Sequence, residues 1–171
     1  MRQIEIRLDP ALVESLMDTI GPLLKQLENE LASPAEFPDD DELLEDFWKS
    51  DLLNSQREEI KVISELFDGE FMLSGRAFIN SNEMDKVIRA CSAIRLKIRD
   101  TLLATVTDSQ LEEGDLEDVQ WTDEMQIAYA AYALFASLQE LIITQMNQPE
   151  PEESGDGYDW GSDDEDLEDE R

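Results

Sequence analysis

Residues 125–146 read MQIAYAAYALFASLQELIITQM, and this stretch decides the fold class. Apolar side chains occupy almost every face that a helix would have here, and no glycine or proline interrupts them. The pattern predicts a long helix that is central to a hydrophobic core. Thr122 precedes it as a predicted N-cap, and Asp123 and Glu124 are well placed against the positive end of the helix dipole.

Two further stretches carry clear helical signals. An apolar stripe predicts a helix from about Asn82 to Val106, and its members are Met84, Val87, Ile88, Cys91, Ile94, Ile98 and Leu102. Asp9 followed by Pro10 predicts another helix start, from which apolar side chains continue to Leu31. Because Pro22 lies inside that helix, we expect a kink or two short helices.

The remaining segments carry weaker signals. Alternating apolar and charged side chains over residues 4–8 predict a short strand. A helix from about Glu42 is expected to end before Ser55, which with Glu58 forms the capping-box pattern that opens a new helix. Residues 70–79 alternate in a way that favours a small hairpin.

The composition changes sharply at Pro149. Residues 149–171 contain 12 acids and one base, a net charge of −11. Such a segment cannot bury enough apolar surface to offset the entropy of ordering it. The sequence therefore predicts a mainly α protein. Residues 1–148 form a single helical-bundle domain of about five helices, with a short N-terminal strand or small hairpin, and residues 149–171 form a disordered acidic tail.

The overall charge restricts the partners. The chain has 43 acidic and 13 basic side chains, a net charge of −30. This field repels nucleic acids and anionic membranes, so direct binding to either is disfavoured. A protein partner with a basic surface is the natural expectation. The alternative is that the acidity only maintains solubility in a salty cytoplasm.

The compartment is expected to be the cytoplasm. Cys91 is the only cysteine, so no intramolecular disulfide can form. The N-terminus lacks the basic flank and apolar core of a signal peptide. The most apolar run, residues 127–143, is at the short limit for crossing a bilayer and resembles a buried helix more closely.

Most catalytic chemistries lack their residues in this chain. There is no histidine, which excludes Ser-His-Asp and Cys-His catalysis and His-ligated metal sites. A glycine-rich phosphate loop is also missing. We therefore predict no enzyme, no cofactor and no metal site. Acidic clusters at residues 39–46, 112–118 and 163–170 lack EF-hand spacing, and a divalent-cation-dependent enzyme remains an alternative.

Two groups of residues are candidates for binding a partner. Lys86, Arg89, Arg95, Lys97 and Arg99 form a basic stripe with no acid between them. Its arginines would suit an acidic or phosphorylated peptide. The alternative is that they pair with acidic loops of the same chain or with the tail, and Arg95, near the edge of the apolar stripe, is expected to be half-buried and paired.

The second candidate group is in the tail. Tyr158 and Trp160 stand in an otherwise acidic segment, although aromatic side chains are rare in purely solvating tails. This pattern is typical of a linear motif that combines an aromatic anchor with a charge field. The alternative is that the pair folds back onto its own domain or onto the basic stripe.

The order of these parts resembles an uncharacterised bacterial family of unknown function, of the actinobacterial type, over residues 3–146. The resemblance rests on the Ile-x-Ile-x-Leu-Asp-Pro start at Ile4, the Val87–Leu96 helix and the Leu138-Gln139-Glu140 motif. It departs from the family at residues 97–100, where a turn of small residues is expected. The resemblance implies an α-helical cytosolic protein without established activity. Family members are often encoded near the Clp protease adaptor, which suggests a link to regulated proteolysis.

Together these observations favour a non-enzymatic protein–protein interaction module, an adaptor or regulator. One alternative is a nucleic-acid mimic that occupies the basic groove of another protein, for which carboxylates should lie at phosphate-like spacing. The other is the divalent-cation-dependent enzyme. The oligomeric state does not follow from the sequence.

Overall fold

The computed structural model describes residues 2–33, 36 and 41–149. In chain order, its elements are β1 (Gln3–Arg7), α1 (Pro10–Leu27), α2 (Glu42–Leu66), α3 (Gly69–Ser74), β2 (Arg76–Asn80), α4 (Met84–Asp100), α5 (Asp108–Glu113) and α6 (Asp123–Met146). The prediction of a mainly α bundle with a short N-terminal strand is confirmed. The predicted disordered tail lies outside the described residues.

The core forms where α4 packs against α6, α2 and α1. Small side chains on both helices are completely buried: Ala90 and Cys91 on α4, and Ala128 and Ala131 on α6. Small residues let two helix backbones approach closely, and larger side chains such as Ile94 fill the space on either side. Helix α4 is the central helix of the bundle, because it packs against α6, α2 and α1.

Helix α6 is buried on one face only, which differs from the prediction. The buried positions are Ala128, Ala131, Phe135, Leu138 and Ile142. Only α1 and α4 pack extensively against this helix among the described elements, so apolar side chains on the far face, such as Leu141 and Ile143, remain exposed. Apolar residues occur on every face of the helix, but other described elements cover only one of these faces.

Of the described helices, α6 is the only one long and apolar enough to cross a membrane, with a mean hydropathy of 1.4 over its most apolar window. A core helix of a soluble protein meets the same criterion. Because α6 packs its buried face on α1 and α4, the structure is compatible with a soluble protein.

The two strands come from distant parts of the chain. Strand β1 pairs antiparallel with β2, in a register that places Gln3 opposite Asn80 and Arg7 opposite Arg76. The hairpin predicted within residues 70–79 is wrong, because Gly69–Ser74 is helix α3. Asp68 starts that helix, and its carboxylate accepts hydrogen bonds from the backbone N–H groups of the next turn.

Both long N-terminal helices are continuous. Helix α1 runs through Pro22, whose ring is exposed, so the alternative of two short helices is wrong, and the kink stays a prediction. Helix α2 runs through Ser55 and Glu58 for 25 residues. No glycine or proline stands between residues 42 and 66, and extending a helix is cheaper than nucleating a second one. The capping-box pattern therefore lies inside a helix.

One buried polar side chain joins these two helices. Gln56 on α2 is 7% exposed. Its Nε2 donates to the backbone oxygens of Leu27 and Glu30, the latter at 2.9 Å, and its Oε1 accepts from the N–H of Ala32 at 3.0 Å. The last carbonyls of a helix have no partner within it, so Gln56 satisfies groups at the end of α1 that would otherwise be orphaned.

Gly75 is the single residue between α3 and β2. Its φ is +69°, in the left-handed region, and its carbonyl accepts a hydrogen bond of 3.0 Å from the N–H of Leu8. A Cβ at this position would lie 2.8 Å from the Leu8 oxygen. Both the backbone conformation and the close approach of β1 therefore require glycine here.

We expect Gly75→Ala to lower the free energy of unfolding by about 2 kcal/mol or more, from left-handed strain together with the clash. Gly114→Ala is the matched control, because Gly114 has a φ of +72° and no atom within 4 Å of its added Cβ. It should lose only the strain, about 1 kcal/mol. Urea unfolding of both variants measures the difference. Equal losses would contradict the role of the Leu8 contact.

Candidate partner-binding surface

Four of the five bases of the stripe on α4 have a carboxylate partner among the described residues. Lys86 pairs with Glu58 at 3.5 Å, Arg89 with Glu59 at 2.7 Å, Lys97 with Glu30 at 3.6 Å and Arg99 with Asp100 at 3.1 Å. Two of these partners lie on the neighbouring helix α2, and the others lie at helix ends. Charges along α4 are thus largely balanced within the chain.

The candidate residues Arg89 and Arg99 both belong to such pairs. The Arg89 side chain is 61% exposed over the nearly buried carboxylate of Glu59. Arg99 also has Asp108 at 3.5 Å, and its hydrogen bond to Asp100 raises the pKa of the guanidinium above its usual value. Exposed pairs of this kind contribute at most about 1 kcal/mol each, so a competing anionic partner could replace these contacts.

Arg95 differs from its neighbours, because no carboxylate of the described residues pairs with it. Its Nη1 donates to Gln139 Oε1 at 3.0 Å and its Nη2 donates to the Tyr132 hydroxyl at 3.1 Å. The guanidinium carbon lies 4.7 Å from the centroid of the Tyr132 ring. Gln139 is held in turn by its Nε2, which donates to Ser92 Oγ at 2.7 Å. Three neutral side chains therefore fix the orientation of one cation.

A surface cavity of about 180 Å³ lies beside this guanidinium. Ser92, Arg95, Leu96, Arg99 and Tyr132 line it. The Nε of Arg95 is buried and has no hydrogen-bond partner. The cavity therefore combines a cation without a counter-ion, a second arginine at its edge and an apolar wall. An acidic ligand with an apolar or aromatic part suits these surroundings.

A second surface lies on the first two turns of α2. Leu43, Leu44 and Phe47 are 82%, 51% and 75% exposed, and we call these three side chains the apolar ridge. Phe47 precedes the buried Gln56 by nine residues. At about 100° per residue the two side chains lie on opposite sides of the helix. Since Gln56 faces the core, Phe47 faces away from it.

The apolar ridge has an acidic rim. Residues 41–51 contain five acids and one base, a net charge of −4. Asp41 starts the helix by accepting from the N–H of Leu43 at 3.1 Å, and Lys49 pairs with Glu45 one turn later. The surface is thus an apolar stripe with carboxylates on either side.

Sequence reasoning missed this ridge, although a signal was present. The predicted helix from about Glu42 was expected to end before Ser55, so nothing related Leu43, Leu44 and Phe47 to the later part of α2. Their spacing relative to Gln56, Ile60 and Ile63 has meaning only once the helix is known to be continuous. The absence of glycine and proline from residues 42–66 was the available signal.

The remaining predictions concern the tail aromatics, a metal site and the single cysteine. Tyr158 and Trp160 lie outside the described residues. Within the described part of the chain, no group of three or more His, Cys, Asp or Glu side chains could hold a metal ion. Cys91 is fully buried, and this burial raises the pKa of its thiol to about 12, although nearby Arg95 acts in the opposite direction. A thiol that stays protonated is a poor nucleophile.

Comparison with known proteins found no matching family model, no matching curated protein and no matching solved structure. The resemblance to the actinobacterial-type family of unknown function therefore stays a prediction.

We expect Arg95→Lys to lower the free energy of unfolding by about 1–3 kcal/mol, because an ammonium cannot donate to Gln139 and Tyr132 in one plane while stacking on the ring. Arg89→Lys is the matched control on the same helix, and it should change stability by less than about 0.5 kcal/mol. Urea unfolding curves measure both. A small effect at Arg95 would mean that its neutral partners hold it only loosely.

The Cys91 thiol predicts a pH effect above neutrality. An unfolded thiol ionises near pH 9, whereas the native one stays protonated up to about pH 12. The unfolded state thus binds fewer protons in this window, and stability falls as the pH rises. The free energy of unfolding should therefore decline more steeply between pH 8.5 and 10.5 in the native chain than in Cys91→Ala. Parallel profiles would contradict the burial of a protonated thiol.

Proposed function

We propose that this protein is a non-enzymatic protein–protein interaction module, an adaptor or regulator, which inserts the apolar ridge of α2 into a groove on a basic partner. The observation that carries the proposal is the outward direction of Leu43 and Phe47, on the side of α2 opposite the buried Gln56. No packing of α2 onto its own core can cover that face.

The hydrophobic effect favours an occupant of the ridge. Full burial of a leucine or phenylalanine side chain is worth about 1.5–3 kcal/mol. Three adjacent large apolar side chains on two helical turns form the pattern by which an amphipathic helix binds an apolar groove. A single exposed leucine would need no explanation, but a contiguous stripe of this kind favours a binding surface.

The charge selects the kind of occupant. A second copy of this chain would bring another rim of net charge −4 against the first, and both copies carry −30 overall. Like charges this close disfavour such a pair. A partner with lysine or arginine around an apolar groove would instead be attracted, with an association rate that falls as salt rises. The tail, with its −11 charge, would strengthen the same field.

The proposal also assigns the protein to the cytoplasm and gives it no catalytic role. The full sequence has no histidine, and the one thiol is buried in the core, which supports this reading. If the predicted family resemblance is correct, an adaptor in regulated proteolysis is one role that fits. That link rests on association alone, and the ridge is independent of it.

The test is an affinity capture from lysate of the source organism, quantified by mass spectrometry. Leu43→Ser combined with Phe47→Ser should remove at least about 90% of one captured basic protein, which corresponds to a loss above 1.4 kcal/mol. Folding should be unchanged, since both side chains are exposed in the free protein.

The matched control is Leu73→Ser, because Leu73 is 91% exposed on α3 and does not belong to the ridge. It should leave the capture intact. A chain truncated after Pro149 forms the third arm. Loss of the partner on truncation but not in the ridge variant would assign the interaction to the tail, and an unchanged partner in both would contradict the proposal.

A further inference from the structure

Arg95 is a cation without a counter-ion in a protein that has 43 carboxylates. Every other base of the α4 stripe pairs with a carboxylate of the described residues. Arg95 is half-buried, where water solvates its charge poorly, and its Nε is buried without any partner. A partly buried charge is stabilised by an opposite one, and the described residues do not provide it.

The arginine is already arranged to receive such a ligand. Gln139 and Tyr132 hold the guanidinium in one plane, and stacking on the Tyr132 ring restricts it further. Each terminal nitrogen uses one of its two hydrogens in these bonds and keeps the other. A fixed, planar donor loses little entropy when an acceptor binds, which is the property that arginine sites for carboxylates use.

The cavity next to it has room for a side chain as well as a carboxylate. Its volume is about 180 Å³, and Leu96 and Tyr132 give it an apolar wall while Arg99 stands at its edge. An aromatic ring placed against Tyr132 would gain both apolar burial and ring contact. The ligand class is therefore an acidic peptide that carries an aromatic residue.

A peptide of this class is present on the same chain. Asp156, Tyr158 and Trp160 stand at alternate positions of the sequence. A segment with this spacing can place one carboxylate and two aromatic rings on the same face when it binds in an extended conformation. Their spacing of about 7 Å per pair of residues is compatible with a carboxylate on Arg95 and a ring on the Leu96–Tyr132 wall.

The path of the chain allows the contact. The described chain ends just after α6, near β1, where Arg2 Nη1 donates to the Gln148 oxygen at 3.1 Å. Gln139, a partner of Arg95, lies on α6 nine residues before Gln148, and at the rise of a helix such a stretch spans about 13 Å. The ten residues from Gln148 to Tyr158 can span about 33 Å when extended. The tail can therefore turn back along α6 and reach the cavity with slack.

We propose that the Arg95 cavity binds the chain's own tail through Asp156, Tyr158 and Trp160. Tethering keeps the tail at a high effective concentration, so it occupies the site without strong intrinsic affinity. A foreign acidic or phosphorylated peptide has to displace it. The basic stripe on α4 is then an internal docking site first, and it becomes open to a partner only when the tail is released. This inference does not depend on the apolar ridge.

The test is solution NMR of the full-length, ¹⁵N-labelled chain. Tyr158→Ala combined with Trp160→Ala should shift the side-chain Nε–Hε cross-peak of Arg95 and the amide cross-peaks of Ser92, Leu96 and Tyr132. The cross-peaks of the apolar ridge should stay in place. Leu167→Ala is the matched control within the tail, because it removes an apolar side chain outside the proposed segment.

The reciprocal variant is Arg99→Gln at the edge of the cavity. It should shift the indole cross-peak of Trp160, while Arg57→Gln, on α2 and outside the lining of the cavity, should not. Unchanged Arg95 cross-peaks in the tail variant would overturn the proposal. So would a site that responds to an added acidic phosphopeptide while remaining indifferent to the tail substitutions, since the ligand would then be foreign.

Discussion

The three hydrogen bonds of Gln56 determine which side of α2 faces the core and which side faces solvent. They join the backbone oxygens of Leu27 and Glu30 and the N–H of Ala32 to the middle of α2, and burying these polar groups without hydrogen bonds would be costly. Gln56 must face α1, and α2 is a continuous helix. The rotation of α2 about its axis is fixed at Gln56, and because the helix is continuous, its first turns have the same rotation. Phe47, nine residues earlier, is turned outward as a direct consequence.

The same placement of α2 divides the charges of α4 between two sides. Glu58 and Glu59 lie two and three residues after Gln56, and they pair with Lys86 and Arg89, which neutralises that side of the helix. The opposite side of α4 faces α6, whose inward residues are mostly small or apolar. Arg95 lies at that seam and finds only hydroxyl and amide partners. One basic helix thus has a neutralised side and a side with an unbalanced charge.

Features that depend on neighbouring residues were predicted well from the sequence, and features that depend on distant residues were predicted poorly. Asp9 and Thr122 cap helices as expected, because N-capping depends on a side chain and backbone groups two or three residues away. The hairpin failed because the partner of β2 lies some 70 residues earlier, at β1. Arg95 was expected to be half-buried and paired, and its burial was correct. Its neutral partners come from α6, which no local pattern could indicate.

The two unsatisfied features require opposite chemistries. The apolar ridge needs an apolar groove that tolerates or attracts its acidic rim, whereas Arg95 needs an anion. The tail, with 12 acids in 23 residues, can supply the anion but is repelled by the rim. A basic partner can cover the ridge but is repelled by Arg95. A ligand of a single charge sign therefore suits only one of the two surfaces, which is why we propose the tail for α4 and a foreign protein for α2.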